Sequence, residues 1–364
     1  MTSPYEPITL NPSGDASVVV TELSTIKNER VQFRVSRRVI DALNLSSDKP
    51  EIRLSNNDAA SLKTVELLLR CMELNGSDEP LPDEFYVVPI QEVWRVLTLV
   101  DIKALKHFRP GTYKVPCSVL MMWFEAWFKR RWPGFTESDE YEQLLYPTFA
   151  FGIPAAFTAV TKWLAYDVVG QIREQNPLRE VDDLPFQPYR DMHMPKDVIR
   201  VLRGAKAALR DTLIRLLDES EQRFIHGKCP CRIQGLANFT RALSADNSLS
   251  DLLDRNPLRT ILHFLSTSFK YEPPTGSENC ASCGPVVGLH VEGDAREISI
   301  AFHGLCLTCM DRSVNNRGVY ENLSEMCEWH GKMTWKHSDL RLPQPQKSLV
   351  PRPSSNERDD WSNW

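Results

Sequence analysis

The sequence predicts an α+β fold that is predominantly α-helical, with a small cysteine-rich module near its carboxy-terminal end. Three patterns carry this reading. Short runs rich in β-branched residues recur before residue 56, stripes of apolar residues at helical spacing fill the middle, and closely paired cysteines cluster late in the chain.

Val18-Val19-Val20, Arg30-Val31-Gln32-Phe33-Arg34-Val35 and Ile52-Arg53-Leu54 read as strands. Helices are expected over 61–72, where Val65, Leu68 and Met72 recur at helical spacing, and over 89–105 through Val93, Leu97 and Val100. Residues 16–113 therefore form a first α+β domain. Residues 114–272 form a helical one. Within it, 115–131 carries an aromatic stripe of Trp123, Phe124, Trp127 and Phe128 that belongs to a core, and 195–217 opens on Pro195 and aligns Val198, Leu202, Ala205, Leu209, Leu213 and Leu216. The outer face of that helix holds Arg200, Arg203, Lys206, Arg210 and Arg215, interleaved with Asp197, Asp211 and Asp218, which reads as a solvated face. Residues 1–15 and 341–364, polar and dense in Pro and Ser, are expected to be disordered.

The cysteines carry the chemistry. Cys280-Ala281-Ser282-Cys283 and Cys306-Leu307-Thr308-Cys309 are two C-x2-C pairs with 22 residues between them. Two residues between cysteines is the spacing at which a turn aims both thiolates at one ion, and Gly284 supplies a permissive backbone just after the first pair. Between the pairs, 286–302 alternates apolar and polar residues around Gly293-Asp294 and is expected to be a β-hairpin. Knuckle, hairpin and second pair make a zinc-ribbon or treble-clef-like module over 273–340, with one structural Zn2+ held by Cys280, Cys283, Cys306 and Cys309.

Additional candidate ligands leave room for a second zinc: Cys327 and His330 at C-x2-H spacing, and Cys229 and Cys231 in the run His226-Gly227-Lys228-Cys229-Pro230-Cys231. Thiol redox chemistry is the rival reading of a C-x2-C pair. It belongs to a strand followed by a helix opening at the first cysteine, which the expected hairpin does not provide.

Composition narrows the remaining classes. A net charge of -5 provides no global field toward nucleic acid or acidic lipid. No stretch offers some 20 uninterrupted apolar residues, and 1–6 lacks the charged and apolar regions of a secretory signal, so no membrane association is expected. Nine cysteines, an odd number with several closely paired, suit metal ligation in a reducing compartment, the cytoplasm or nucleus. No phosphate-binding glycine loop, H-E-x-x-H, G-x-S-x-G or kinase signature occurs. No catalytic residue and no cofactor-binding residue other than metal ligands is assigned.

Several of these stretches resemble a family of fungal proteins with an amino-terminal BTB/POZ-like domain, a helical middle and a cysteine-rich end. The resemblance spans most of 15–340. It is carried by 33–40, by Ile52-Arg53-Leu54-Ser55 before the helix around Val65 to Arg70, by 93–101, and by Trp123-Phe124 with Trp127. Leu144-Leu145-Tyr146-Pro147, Thr161 to Tyr166, and 305–312 with Cys327 and His330 complete it. The family implies protein–protein interaction. Wider BTB relatives form homodimers and recruit cullin ubiquitin ligases through a second helix that Leu45-Ser46-Ser47-Asp48-Lys49-Pro50 here trims away.

The function expected from the whole is a non-enzymatic interaction or adaptor protein with a structural zinc site. Its alternatives are a nucleic-acid-binding or transcription-associated zinc protein, using the basic helix face, and a zinc- or thiol-dependent enzyme.

Overall fold

The computed structural model describes residues 8–23, 28–43, 50–55, 61–74, 80–104, 118–178, 193–243, 255–307 and 310. Its strands are β1 (Ile8–Thr9), β2 (Ala16–Leu23), β3 (Asn28–Val35) and β4 (Glu51–Ser55), in spatial order β1-β3-β2-β4. β2 and β3 pair antiparallel, with Val18 opposite Phe33 and Ala16 opposite Val35, while β4 lies parallel to β2 with Ile52 opposite Val20. Alternation then puts Val18, Val20, Phe33, Val35 and Ile52 on one buried face. Helices α1 (Arg37–Ala42) and α2 (Leu62–Glu73) cover it.

The sequence reading of these strands and helices holds, with one correction. Residues 1–15 were expected to be disordered, but Ile8–Thr9 pair with β3, and the backbone N–H groups of Leu10 and Asn11 donate to Arg34 O. Polarity misled because this edge is held by backbone bonds and by Asn11, whose side-chain amide donates to the buried Glu73 carboxylate.

α2 begins with a capping box in which the Ser61 hydroxyl accepts from Thr64 N–H and Thr64 Oγ1 accepts from Ser61 N–H. Beyond it come α3 (Ile90–Ala104), α4 (Ser118–Arg131), α5 (Ser138–Ala150) and α6 (Pro154–Asp167). Three buried tryptophans tie the first part to the helices. Trp123 Nε1 donates to Phe85 O and Trp127 Nε1 to Val88 O, both at 2.8 Å, and Trp94 Nε1 donates to Gln143 O at 2.9 Å. The aromatic stripe on α4 is core, as read: Phe124 stacks on Phe151 with centroids 4.3 Å apart.

α7 (Lys196–His226) is a 31-residue helix, roughly 46 Å long at the ordinary rise. It packs against α6, against α8 (Arg232–Leu243) and against α10 (Val286–Ala301). A six-residue helix, α9 (Leu258–His263), continues into a wider turn at Phe264–Ser268 and lies beside α10.

α10 is the main departure from expectation. Residues 286–302 were to be a β-hairpin; they form a helix to Ala301 that buries Val287, Val291, Ala295 and Ile298. Those positions are four, four and three apart, so the stretch carries a helical stripe that its local alternation obscured. Gly293-Asp294, expected to be a turn, lies within the helix, so the described residues do not form the hairpin expected of a zinc ribbon.

Two of the basic residues on α7 are used internally. Arg203 donates to Ile172 O through Nε and Nη2, and Lys206 Nζ donates to Val168 O at 2.6 Å and to Gly170 O, holding the irregular chain that follows α6. Lys206 is buried, and burial lowers its ammonium to about 8. The expected disordered tail, 341–364, lies outside the described residues. No helix among the described residues is long and apolar enough to cross a membrane.

Candidate metal centre

α7 ends at His226, and the chain reverses through 227–231 to start α8 at Arg232. Cys231 stands at the mouth of α8, its carbonyl accepting from Gly235 N–H at 2.9 Å. Cys229 is two residues earlier, so the reversal carries both thiols between the ends of two helices. The second pair sits in the turn before α10. Cys280 N–H donates to Ser277 O and Gly284 N–H to Cys280 O at 2.8 Å, closing a knuckle around residues 280–284. Gly284 is required there, because a Cβ at that position would stand 2.6 Å from Cys280 O.

The two segments meet. Cys229 Sγ lies 3.3 Å from Cys283 Sγ, Cys231 Sγ lies 3.7 Å from Cys280 Sγ, and all four sulfurs fall within 4.8 Å of one another. A disulfide needs about 2.05 Å, so these thiols are unbonded. A tetrahedral zinc tetrathiolate with bonds of about 2.3 Å has sulfur-to-sulfur edges of about 3.8 Å. The donor set fits a thiophilic divalent ion in number, type and spacing.

The surroundings fix this arrangement. Gly235 lets α8 approach: a Cβ there would be 3.2 Å from Cys283 Sγ and 3.0 Å from Phe224 Cε1. Phe224, Phe239 and Tyr271 pack as an aromatic group beneath the sulfurs, and the Tyr271 hydroxyl donates to Cys283 O at 2.8 Å. Cys283 is fully buried, while Cys229, Cys231 and Cys280 are half-buried.

Electrostatics within the cluster are uneven. The Ser282 N–H, helped by hydrogen bonds from the Cys229 thiol and the Cys283 N–H, lowers the Cys280 thiol to about 7. Burial pushes the Cys283 thiol up, and a hydrogen bond with Cys229 raises that of Cys231. A bound cation opposes both upward shifts, since the thiolate is the ligand form.

The structure divides the predicted ligands differently from the sequence reading. Cys280 and Cys283 form a knuckle as expected, but they meet Cys229 and Cys231, the pair considered for a second ion. Cys306 is buried yet is not one of the converging four. The cause is α10: a hairpin would return the chain to the knuckle, whereas a 16-residue helix runs roughly 24 Å along its axis. The chain after it is tied instead to α6, with Leu305 N–H donating to Thr161 Oγ1 and Thr158 Oγ1 donating to Leu305 O. Cys309, Cys327 and His330 lie outside the described residues.

No family model, curated protein or solved structure matches the chain.

Proposed function

We propose that the protein is a non-enzymatic helical scaffold, an adaptor for other proteins, whose carboxy-terminal half is held by one structural zinc on Cys229, Cys231, Cys280 and Cys283. The convergence of four thiols, each from the end of a helix or a tight turn, carries this reading. Four thiolates complete a tetrahedron and leave no position for a water or substrate, which distinguishes structural from catalytic zinc. Zinc here would join the α7–α8 reversal to the knuckle before α10, segments about 50 residues apart in sequence.

The interaction role rests on the resemblance to BTB/POZ-like fungal proteins, and the small sheet covered by α1 and α2 is consistent with a reduced form of that domain. The nucleic-acid alternative is weakened by Arg203 and Lys206, which spend their donors on backbone carbonyls of residues 168–172. X-ray absorption at the zinc edge tests the site: about four sulfurs at about 2.3 Å support it. A shell containing an oxygen that exchanges with solvent argues for the zinc-enzyme alternative.

A further inference from the structure

The four sulfurs differ in access. Cys283 is fully buried, with Gly235 of α8 close to its sulfur, whereas Cys231 and Cys280 are half-buried and stand 3.7 Å apart, one on each of the two segments that the cluster joins. We propose, on the reading of the cluster as a zinc tetrathiolate, that it is also a thiol-oxidation site: a hydroperoxide converts Cys231 and Cys280 to a disulfide and the zinc is released.

Distance and access favour this pair over the other close contact that bridges the two segments. Its sulfurs need to close by about 1.7 Å to reach bonding distance. Cys229 and Cys283 are nearer, at 3.3 Å, but one of them is buried beyond reach of an oxidant. A link between Cys231 and Cys280 also keeps the α7–α8 reversal attached to the knuckle after the metal leaves, so a covalent tie replaces the coordinate one.

The chemistry balances with hydrogen peroxide as oxidant. One thiolate of the pair attacks a peroxide oxygen, forming an S–O bond as the O–O bond breaks, and the departing hydroxide takes a proton to become water. The second thiolate attacks that sulfenic sulfur, forming the S–S bond, and the oxygen leaves as a second water after protonation. Two electrons pass from the sulfur pair to the peroxide. Two further protons convert Cys229 and Cys283 to thiols, and the zinc ion departs.

The test uses full-length protein purified without chelator and treated with graded hydrogen peroxide, with remaining thiols then blocked. Released zinc is read with a metallochromic dye and linkages by mass spectrometry of unreduced peptides. The expected result is release of about one zinc per chain together with a Cys231–Cys280 linked peptide, reversed by dithiothreitol and added zinc. A Cys71→Ser variant, altered within α2, should behave identically. Zinc retained at peroxide levels that oxidise the exposed Met122 would overturn the proposal while leaving the zinc site standing. Release with a Cys280–Cys283 linkage, or with no disulfide, would overturn the assigned pair. Protein that carries no zinc before treatment would overturn both readings.

Discussion

Cys229 Sγ lies 3.3 Å from Cys283 Sγ although 54 residues separate them in sequence. Neither residue sits on an element that could hold the other: one follows α7, the other closes a turn before α10. Metal binding should therefore appear as stability. Zinc-loaded protein is expected to melt at a higher temperature than chelator-treated protein. The difference should shrink as pH falls, because four thiols must lose protons to bind the ion. Calorimetry at pH 7.5 and 5.5 with and without chelator measures this, and equal melting temperatures at both pH values would contradict it.

Gly235 offers a subtler handle on the same contact. Gly235→Ala should favour α8 by about 1 kcal/mol of helix propensity, yet its Cβ would press on Cys283 Sγ and the Phe224 ring at 3.2 and 3.0 Å. Zinc affinity is expected to fall about tenfold, in the range found when groups around metal ligands are disturbed. Competition with a chelating dye reads this directly, and unchanged affinity would show that α8 does not constrain the cluster.

Tyr166 provides a test away from the metal. Its buried hydroxyl donates to Ile298 O at 2.7 Å and accepts from Phe302 N–H at 3.0 Å, joining α6 to the end of α10. Burial raises this hydroxyl to about 12, so it remains a donor throughout the working range. Tyr166→Phe leaves two backbone groups unpaired and should cost about 1–3 kcal/mol in urea unfolding, with zinc content unchanged. A variant as stable as wild type would mean that water replaces the hydroxyl.

Lys206 supplies a pH dependence. Burial lowers its folded-state pKa to about 8 from 10.5, so the folded chain holds this proton less tightly than the unfolded chain does. The penalty is complete below about pH 8 and is relieved as pH rises toward 10.5. Compared with Lys206→Met in urea melts, wild type should therefore gain relative stability between pH 7.5 and 9.5. A difference that does not change with pH would contradict this assignment.

The first part of the fold was legible because its signals are local. Val18, Val20, Phe33 and Val35 alternate, the Leu62–Glu73 helix repeats at helical spacing, and each pattern matches the element it forms. The cluster was legible only in half. The Cys280–Cys283 spacing specifies a knuckle by local geometry, but its partners are set by how α7, α8 and α10 pack. The Cys229-Pro230-Cys231 spacing was visible in sequence, while its pairing to the knuckle was not. The same limit explains α10: Val286 to Phe302 satisfies both a short alternation and a helical stripe, and burial of Val287, Val291, Ala295 and Ile298 against neighbouring helices decides between them.

The most direct measurement is metal content per chain, by elemental analysis, for wild type, Cys229→Ser and Cys306→Ser purified without chelator. The proposed zinc site predicts about one zinc in wild type and in Cys306→Ser, and its loss in Cys229→Ser. Zinc kept by Cys229→Ser and lost by Cys306→Ser would contradict it and return the ligands to the two C-x2-C pairs.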